Sequence, residues 1–326
     1  MIYVMSDIHG RKDLFDKMLD KIGLTSDDTL YILGDMVDRG GDLSVLFEVM
    51  KLHQKGICVP IRGNHEKQLS YLLGAYVPKD VLKGQILQTK YDKLSRKDYH
   101  NYYFDSFSEY SLAVIEKLKE LHHVVSLNNT IIKFQRMFGS ISSYNCGRTL
   151  EHINKMDAEE IRLIKRYLKR YIALMPVKAE CVVNGKKYML VHGGYDETKE
   201  SGNYLDMRQE FFLNKVKSSE PVTVVFGHTT TRDIRIIKDH ELSIPYKIWY
   251  DDVHHDKIGI DCGACYPHGQ LACLCLDTME EFYIKNDLDA TVPISYLNDR
   301  IGIYRSYQDK FNSTYAAGSD QKLNIL

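Results

Sequence analysis

The sequence lacks the features that would place the protein at a membrane or on nucleic acid. Its 43 Lys and Arg side chains nearly balance 44 Asp and Glu side chains, so no global field attracts a polyanion and any phosphate binding must be local. No run of residues is long and apolar enough to span a bilayer, and the first residues, MIYVMSDIHG, have neither the basic region nor the cleavage site of a secretory leader. We therefore expect a cytoplasmic protein without general nucleic-acid binding.

A disulfide framework is also missing from the pattern of cysteines. The chain has seven cysteines in 326 residues, an odd number with scattered spacing, which favours a reducing compartment. The spacing of Cys262 and Cys265 raises the question of a zinc or redox site. Strand alternation, however, puts Cys273 and Cys275 on one face, where cysteine behaves as a small hydrophobic residue. We expect mostly buried thiols.

Internal repeats and low-complexity segments are absent, and what the sequence does contain is an alternation of short apolar runs with amphipathic segments. This alternation is typical of a layered α/β fold. Amphipathic helices are predicted at 14–22 and 43–52, and Asn184-Gly185 predicts a hairpin turn. Strands are predicted at 2–5, 29–33, 57–61, 181–183, 188–191, 222–226, 234–237, 258–260, 271–276 and 281–285.

The stretch from about residue 79 to 175 differs from the rest, because it is rich in Tyr and has few strand signals. We interpret it as a mainly helical insertion or cap. A capping box at Asp157 and Glu160 predicts a helix that runs to about residue 174, where Pro176 stops it. Residues 291–326 are expected to be a loosely attached tail.

Polar clusters follow five of the predicted strands. In α/β sheets, sites form beyond the carboxyl ends of strands, so these loops can converge on one site. Asp and His side chains with an Asn carbonyl suit borderline divalent metals, and a carboxylate can bridge two ions about 3.5–4 Å apart. Such a pair clamps a phosphoryl group and lowers the pKa of a bridging water. The clusters are Ser6 to Gly10, Gly34-Asp35, Gly63 to Glu66, His192 to Gly194, and Gly227 to Thr229.

At these residues the sequence resembles the calcineurin-like metallophosphoesterases and, more narrowly, the phosphoprotein phosphatase family. The motifs that carry the resemblance are Asp7-Ile8-His9-Gly10, Gly34 to Gly40, Arg62 to Glu66, His192-Gly193-Gly194 and Gly227-His228-Thr229. The Gly-His-Thr form is more similar to the bacterial branch, which contains lambda-phage-type protein phosphatases and symmetrical dinucleoside tetraphosphatases. The resemblance covers roughly residues 1–75 and 180–276, and the insertion matches weakly, at 145–150.

The resemblance implies two divalent metal ions that share one carboxylate. Mn²⁺ is the first expectation, with Fe, Ni or Zn as alternatives, because imidazole-containing sites favour transition metals over Mg²⁺. The implied ligands of one ion are Asp7, His9 and Asp35, and those of the other are Asp35, Asn64, His192 and His228. Hydrolysis would proceed by direct attack of a metal-bridging hydroxide, without a phosphoenzyme.

The resemblance also implies two further sets of residues that act on the substrate. His65 matches the general acid that protonates the leaving oxygen, and Asp38 matches the carboxylate that fixes its tautomer. The guanidinium fork suits phosphoryl oxygens, and the matching arginines are Arg39, Arg62 and, in less distinctive surroundings, Arg208. Glu66 is expected to start a helix or support the ligands rather than to bind metal.

The resemblance implies a four-layer α/β/β/α sandwich over residues 1–290, with the insertion at about 79–175 and a C-terminal tail at 291–326. A serine/threonine protein phosphatase is the first expectation, because the Asp38 and Arg62 motifs are typical of that family. The alternative is a nucleotide or dinucleoside polyphosphate hydrolase, favoured by Gly-His-Thr and by an insertion large enough to close a small pocket. A non-catalytic binding protein is disfavoured, since every implied ligand position is filled. The expected partner is a phosphorylated protein or a small phosphorylated substrate, and the oligomeric state is left open.

Overall fold

Two five-stranded sheets form the centre of the computed structural model, which describes residues 1–39, 43–75, 149, 168–241 and 246–287. The strands are β1 (Ile2–Met5), β2 (Thr29–Ile32), β3 (Cys58–Pro60), β4 (Lys178–Val183), β5 (Lys186–Val191), β6 (Thr223–Phe226), β7 (Trp249–Tyr250), β8 (Lys257–Gly259), β9 (Gln270–Cys275) and β10 (Glu281–Lys285). The first sheet has the order β10-β9-β1-β2-β3 and the second the order β4-β5-β6-β8-β7. In each sheet three strands are parallel, namely β1, β2 and β3 in the first and β5, β6 and β8 in the second.

In the described part of the chain, three longer helices with described bounds and several short helical segments lie between these strands. The longer ones are α1 (Lys12–Ile22), α2 (Ser44–Gln54) and α3 (Asn64–Ala75). Helix α1 ends at Gly23, whose left-handed φ of 58° lets its N–H reach the last carbonyls of the helix. The short segments are a 3₁₀ helix at Ser201–Leu205, single turns at Gln209–Phe212 and Thr231–Ile234, and a π-helical turn at Arg235–Asp239.

Side-chain alternation in the strands separates the fold into layers. Val4 in β1 faces the second sheet and belongs to one core with Leu190 and Val225 of that sheet. Its neighbour Met5 points the other way, into the core that includes Phe15 of α1. A strand has a period of two, so one strand supplies both cores.

The second sheet uses its outer face in the same way. Val224 and Phe226 of β6 pack with Phe211 and Ile234 from the short helical turns, and these side chains form a third apolar core. The described residues therefore form helices, sheet, sheet and helices in succession, which confirms the predicted α/β/β/α class.

One predicted strand is wrong. The stretch 234–237 is helical, at the junction of Thr231–Ile234 and the π-helical turn. The β-branched isoleucines favoured a strand, but the side chain of Thr230 accepts a hydrogen bond from the Asp233 N–H and so caps a helix. Ile234 and Ile237 then lie on one helical face and are buried. The two-residue strand β7 had not been predicted.

The predicted hairpin and the predicted cysteine packing are both confirmed. Strands β4 and β5 pair antiparallel, and Asn184 and Gly185 adopt the positive φ values of 50° and 77° that a type I′ turn needs. Cys273 and Cys275 lie on one face of β9 in the core beneath α1. Among the described ranges, the cysteines are free thiols.

Most of the predicted insertion and the whole predicted tail lie outside the described residues. Residues 168–174 are helical, as expected for the end of the helix predicted to begin at Asp157, and its earlier part is outside the described ranges. The division into residues 1–290, 79–175 and 291–326 stays a prediction. None of the described helices combines the length and the apolarity that a bilayer crossing requires.

Candidate metal centre

The loops that follow the parallel strands are joined by hydrogen bonds beyond the strand ends. The N–H of Asp7 donates to the carbonyl of Gly34 at 3.1 Å, and the N–H of His9 donates to the carbonyl of Asp35 at 2.8 Å. The two sheets are also connected, because the His228 N–H donates to Oδ2 of Asp7 at 2.9 Å. The predicted polar clusters therefore meet at one edge of both sheets, as the strand directions require.

The first group of predicted ligands surrounds His9. Its Nε2 lies 3.8 Å from Oδ1 of Asp7 and 3.8 Å from Oδ2 of Asp35. Its Nδ1 lies 3.0 Å from the carbonyl oxygen of Val37, which can only accept a hydrogen bond. The proton therefore belongs on Nδ1, and Nε2 presents a lone pair to the carboxylates.

The second group surrounds His192. Its Nε2 lies 3.3 Å from Oδ1 of Asp35 and 2.8 Å from Oδ1 of Asn64. Its Nδ1 is 2.7 Å from the carbonyl oxygen of Leu33, which orients the ring in the same manner as for His9. The ring of His228 packs beside it, with 4.9 Å between ring centroids. Asp35 thus contacts the His9 group through Oδ2 and the His192 group through Oδ1.

The donor atoms fit a pair of cations. Nε2 of His9 and Nε2 of His228 are buried and have no hydrogen-bond partner in the part of the chain that the structure describes. Burial lowers the pKa of both imidazoles well below the usual range, so both are neutral. A buried polar atom without a partner costs about 1–3 kcal/mol, and a divalent cation removes that cost. Among the described residues, ligand atoms within 4.8 Å of one another occur in two sets, His9-Asp35-His65 and Asp35-His192-His228.

The pKa values of Asp35 and His192 indicate a position in the site that favours positive charge. Burial alone would raise the pKa of Asp35, but His192 and His65 outweigh it and hold that pKa well below the usual range. Burial likewise opposes protonation of His192, yet Asp35 raises its pKa to about 10. The proton between them occupies a position that a cation can take over, because a metal ligand must be unprotonated.

His65 and Asp38 form the predicted pair beside these groups. Nδ1 of His65 lies 2.6 Å from Oδ2 of Asp38, and both side chains are buried. Burial opposes the charged imidazole, but Asp35 and Asp38 together raise the pKa of His65 above its usual value. The arrangement suits a proton donor at Nε2, which lies 3.8 Å from Oδ2 of Asp35.

The three predicted arginines lie at different depths. Arg39 is half-buried, and its Nη2 lies 3.4 Å from Nε2 of His65. Arg62 is half-buried in the loop before α3, where its backbone N–H donates to Pro176. Arg208 is exposed, and its Nη1 donates to the carbonyl of His228 at 3.3 Å. Arg39 and Arg208 therefore border the two histidine groups on different sides.

Backbone strain is concentrated at the predicted ligands. Non-glycine residues rarely adopt positive φ, because the Cβ atom then approaches the carbonyl oxygen, and such residues cluster at functional sites. The φ values here are 52° at Asp7, 50° at His9, 53° at Asp35, 70° at Asp38 and 65° at His228. Each strand end thus turns sharply and directs its polar side chain into the cluster.

Two glycines make room for the carboxylates. A Cβ atom on Gly63 would lie 2.2 Å from Oδ1 of Asp35, and one on Gly227 would lie 2.2 Å from Oδ2 of Asp7. Any side chain at either position would displace a carboxylate. Glycine at both positions therefore allows the backbone to approach the carboxylates closely.

Glu66 holds the Asp35 loop in place. It lies in the first turn of α3, is fully buried, and its carboxylate accepts hydrogen bonds from the N–H groups of Asp35, Met36 and Gly63 at 2.8–2.9 Å. The expected supporting role of Glu66 is confirmed, since the bonds from Asp35 and Met36 join the loop after β2 to the start of α3, and the bond from Gly63 braces the loop after β3.

Two residues of the site were missed at the level of sequence. The hydroxyl of Thr149 donates to Oδ1 of Asp38; Thr149 lies in the weakly matching stretch 145–150, but that match did not indicate this contact. Asp261 is buried directly beyond β8, and burial together with the charge of Asp7 raises its pKa well above the usual range. A signal existed for Asp261, because it follows a predicted strand just as Asp7 and Asp35 do.

Comparison with known proteins gives a family match. The model of the calcineurin-like phosphoesterases matches residues 1–163. The chain is 36% identical over 100 residues to a symmetrical bis(5'-nucleosyl)-tetraphosphatase of Acidovorax sp. (strain JS42). This alignment covers 28% of this chain and 34% of that relative. It is 32% identical over 80 residues to a provisionally named serine/threonine-protein phosphatase of Caenorhabditis elegans. This alignment covers 23% of this chain and 22% of that relative.

A solved structure provisionally described as a diadenosine tetraphosphatase aligns over 88% of this chain and 94% of its own, with 15% identity and a TM-score of 0.46. The chain spans about a third or less of the length of the two curated relatives. The family match covers half of the chain, and together with the fold and the Asp and His cluster it defines a metallophosphoesterase. The chain belongs to the calcineurin-like phosphoesterases.

Proposed function

We propose that the protein is a dinuclear-metal phosphoesterase. The observation that carries the proposal is the sharing of Asp35 between two histidine groups, each with a buried Nε2 that has no hydrogen-bond partner among the described residues. Asp7, His9 and Asp35 would hold one ion, and Asp35, Asn64, His192 and His228 the other. When bound, such a pair supplies Lewis-acid stabilisation of a phosphoryl group and lowers the pKa of water at the site. Mn²⁺, Fe, Ni and Zn all suit this donor set.

The chain's own residues perform the remaining tasks. His65 donates a proton from Nε2 to the leaving oxygen, and Asp38 keeps the other proton on Nδ1 through the 2.6 Å contact. The charges of Arg39, Arg62 and Arg208 are available to phosphoryl oxygens, which guanidinium groups bind in a forked geometry. The supporting geometry is that Arg39 contacts His65, while Arg208 contacts the His228 loop.

We propose a dinucleoside polyphosphate or a related nucleotide as the substrate, in place of the phosphoprotein that the sequence motifs favoured. The support is the Acidovorax relative, which has the higher identity over the longer stretch. The arginines also differ in exposure, since Arg208 is exposed while Arg39 and Arg62 are half-buried. Such an arrangement suits an extended anionic chain. Serine/threonine phosphatase activity is the second candidate, supported by the Caenorhabditis elegans relative.

The test compares three substrates on wild type and Asp35→Asn. Purified protein is assayed with diadenosine tetraphosphate, a phosphothreonine peptide and p-nitrophenyl phosphate, each with Mn²⁺, Fe²⁺, Ni²⁺ or Zn²⁺. Asp16→Asn serves as the matched control, because Asp16 is an exposed residue of α1. Metal content is measured on all three proteins.

Turnover of the tetraphosphate to nucleoside diphosphates, lost in Asp35→Asn together with bound metal, supports the proposal. A clear preference for the phosphopeptide selects the second candidate. Wild-type protein that binds metal but hydrolyses none of the three substrates overturns both, and makes a binding function the one to pursue.

A further inference from the structure

We infer that Thr149 is a positioning residue for the proton-donating pair, an inference that rests on the proposed function. Its hydroxyl donates to Oδ1 of Asp38, whose other oxygen, Oδ2, lies 2.6 Å from Nδ1 of His65. Thr149 and Asp38 are fully buried, and His65 is nearly so. The three side chains form one chain of hydrogen bonds that ends at Nδ1 of His65, the ring whose Nε2 is proposed to donate the proton.

Asp38 needs a second anchor because a carboxylate held at one oxygen is free to turn. The terminal torsion of Asp is broad and has no sharp rotamer of its own. His65 holds Oδ2 and Thr149 holds Oδ1, so the plane of the carboxylate is fixed. A buried carboxylate is also costly unless its oxygens accept hydrogen bonds, and the hydroxyl of Thr149 supplies one.

The orientation of Asp38 in turn sets the tautomer and the direction of His65. An ionised Oδ2 accepts a hydrogen bond from Nδ1–H, which leaves Nε2 pointing to the cluster. There Nε2 lies 3.8 Å from Oδ2 of Asp35 and 3.4 Å from Nη2 of Arg39. The hydrogen bond of Thr149 is to Asp38, so we expect its effect on the reaction to pass through that carboxylate.

The position of Thr149 in the sequence gives this contact a further meaning. It is 111 residues away from Asp38 and belongs to the stretch between α3 and β4, where the sequence departs most from the family motifs. The hydrogen bond connects Thr149 to Asp38, the partner of the proton donor. We therefore expect Thr149 to affect protonation of the leaving group and to leave binding of the phosphoryl group unchanged.

The experiment uses the full chain with Thr149→Val, which keeps the shape and removes the hydroxyl, and Thr149→Ser, which retains it. Thr223→Val is the matched control, because Thr223 is a buried threonine at the start of β6. Turnover is measured with p-nitrophenyl phosphate, whose leaving group needs little protonation, and with phenyl phosphate, whose leaving group needs more. Metal content and thermal stability are recorded for each variant.

For Thr149→Val we expect kcat on phenyl phosphate to fall about tenfold, the low end for loss of an outer hydrogen-bond partner. KM, metal content and kcat on p-nitrophenyl phosphate should stay within about twofold of wild type, and Thr149→Ser should recover most of the loss. An equal loss on both substrates would mean a purely structural role and overturn the inference. So would unchanged kcat on phenyl phosphate.

A second measurement separates this inference from the proposed function. The proton between Nδ1 of His65 and Oδ2 of Asp38 is observed by NMR in protein labelled with ¹⁵N at histidine, whether or not the protein turns over substrate. Thr149→Val should shift or broaden this resonance, and Thr223→Val should not. A resonance unaffected by Thr149→Val overturns the inference even if the protein hydrolyses no substrate tried.

Discussion

Nδ1 of His65 lies 2.6 Å from Oδ2 of Asp38, and neither side chain is open to solvent. A buried imidazole paired with a carboxylate on one nitrogen is fixed in orientation, so its other nitrogen points in one direction. Here that nitrogen points to Asp35 and Arg39, at the centre of the proposed site.

We predict that His65→Asn depresses kcat by roughly 10²–10⁴, the usual span for loss of a general acid. The reason is that Asn can fill the volume but cannot donate a proton to a leaving alkoxide. Steady-state rates on phenyl phosphate and on the tetraphosphate measure the effect, and metal content should match that of wild type. Unchanged turnover on poor leaving groups would remove His65 from the acid role.

Gly63→Ala should abolish metal binding and activity, because the new Cβ would lie 2.2 Å from Oδ1 of Asp35. The methyl group must either displace that carboxylate or push the loops after β2 and β3 apart. Gly202→Ala is the matched control, since nothing lies within 4 Å of a Cβ there. Metal stoichiometry after dialysis and melting temperature are the measurements. Full metal occupancy in Gly63→Ala would show that the loop relaxes more easily than its geometry implies.

Glu66→Gln should destabilise the site even though Glu66 binds no substrate. Its carboxylate accepts three backbone N–H groups, and a Gln side chain must turn its own NH₂ toward at least one of them. One unsatisfied buried donor costs about 1–3 kcal/mol, so we expect a loss of that size in the free energy of unfolding. Urea denaturation of Glu66→Gln measures it, with Glu48→Gln as the control, because Glu48 is partly exposed on α2 and pairs with Lys51. Equal midpoints for the two variants would contradict the prediction.

The sequence predicts most of this site because its geometry follows from strand direction. Parallel strands end at the same edge, so Asp7, Asp35 and Asn64 had to meet once β1, β2 and β3 were recognised. The stretch 234–237 was misassigned because Ile234 and Ile237 fit a buried strand and a helix face equally well. A cap from Thr230, not hydrophobicity, decides between the two.

Thr149 could not have been predicted for a different reason. Its hydrogen bond to Asp38 joins residues 111 positions apart and depends on where one hydroxyl falls in the assembled fold. Sequence spacing carries information on contacts within a helix or between neighbouring strands, and Thr149 and Asp38 belong to neither class. Contacts of this kind become visible only in three dimensions.

The last prediction concerns pH and the stability of the second sheet. Asp251 lies with both oxygens against ammonium groups, 2.5 Å from Nζ of Lys238 and 2.7 Å from Nζ of Lys257, and Lys257 is fully buried. Burial opposes ionisation of Asp251, but a hydrogen bond from Lys238 and the nearby charge of Lys257 outweigh it and hold the pKa of Asp251 well below the usual range. We expect Asp251→Asn to cost up to about 3 kcal/mol of unfolding free energy at pH 7, because the buried ammonium of Lys257 loses one of its carboxylate partners while it retains Asp256.

The sign of the pH effect follows from the lowered pKa of Asp251 in the folded state. An acid whose folded pKa is depressed contributes stability above its unfolded pKa of about 3.9 and loses it as pH falls toward the folded value. The difference between wild type and Asp251→Asn should therefore be constant from pH 7 to about pH 5 and shrink below about pH 4. Asp252→Asn is the matched control, because Asp252 is 78% exposed and 3.3 Å from the same Lys238. Urea denaturation at each pH decides the matter, and a difference that grows on acidification would show that Asp251 is not the group that titrates.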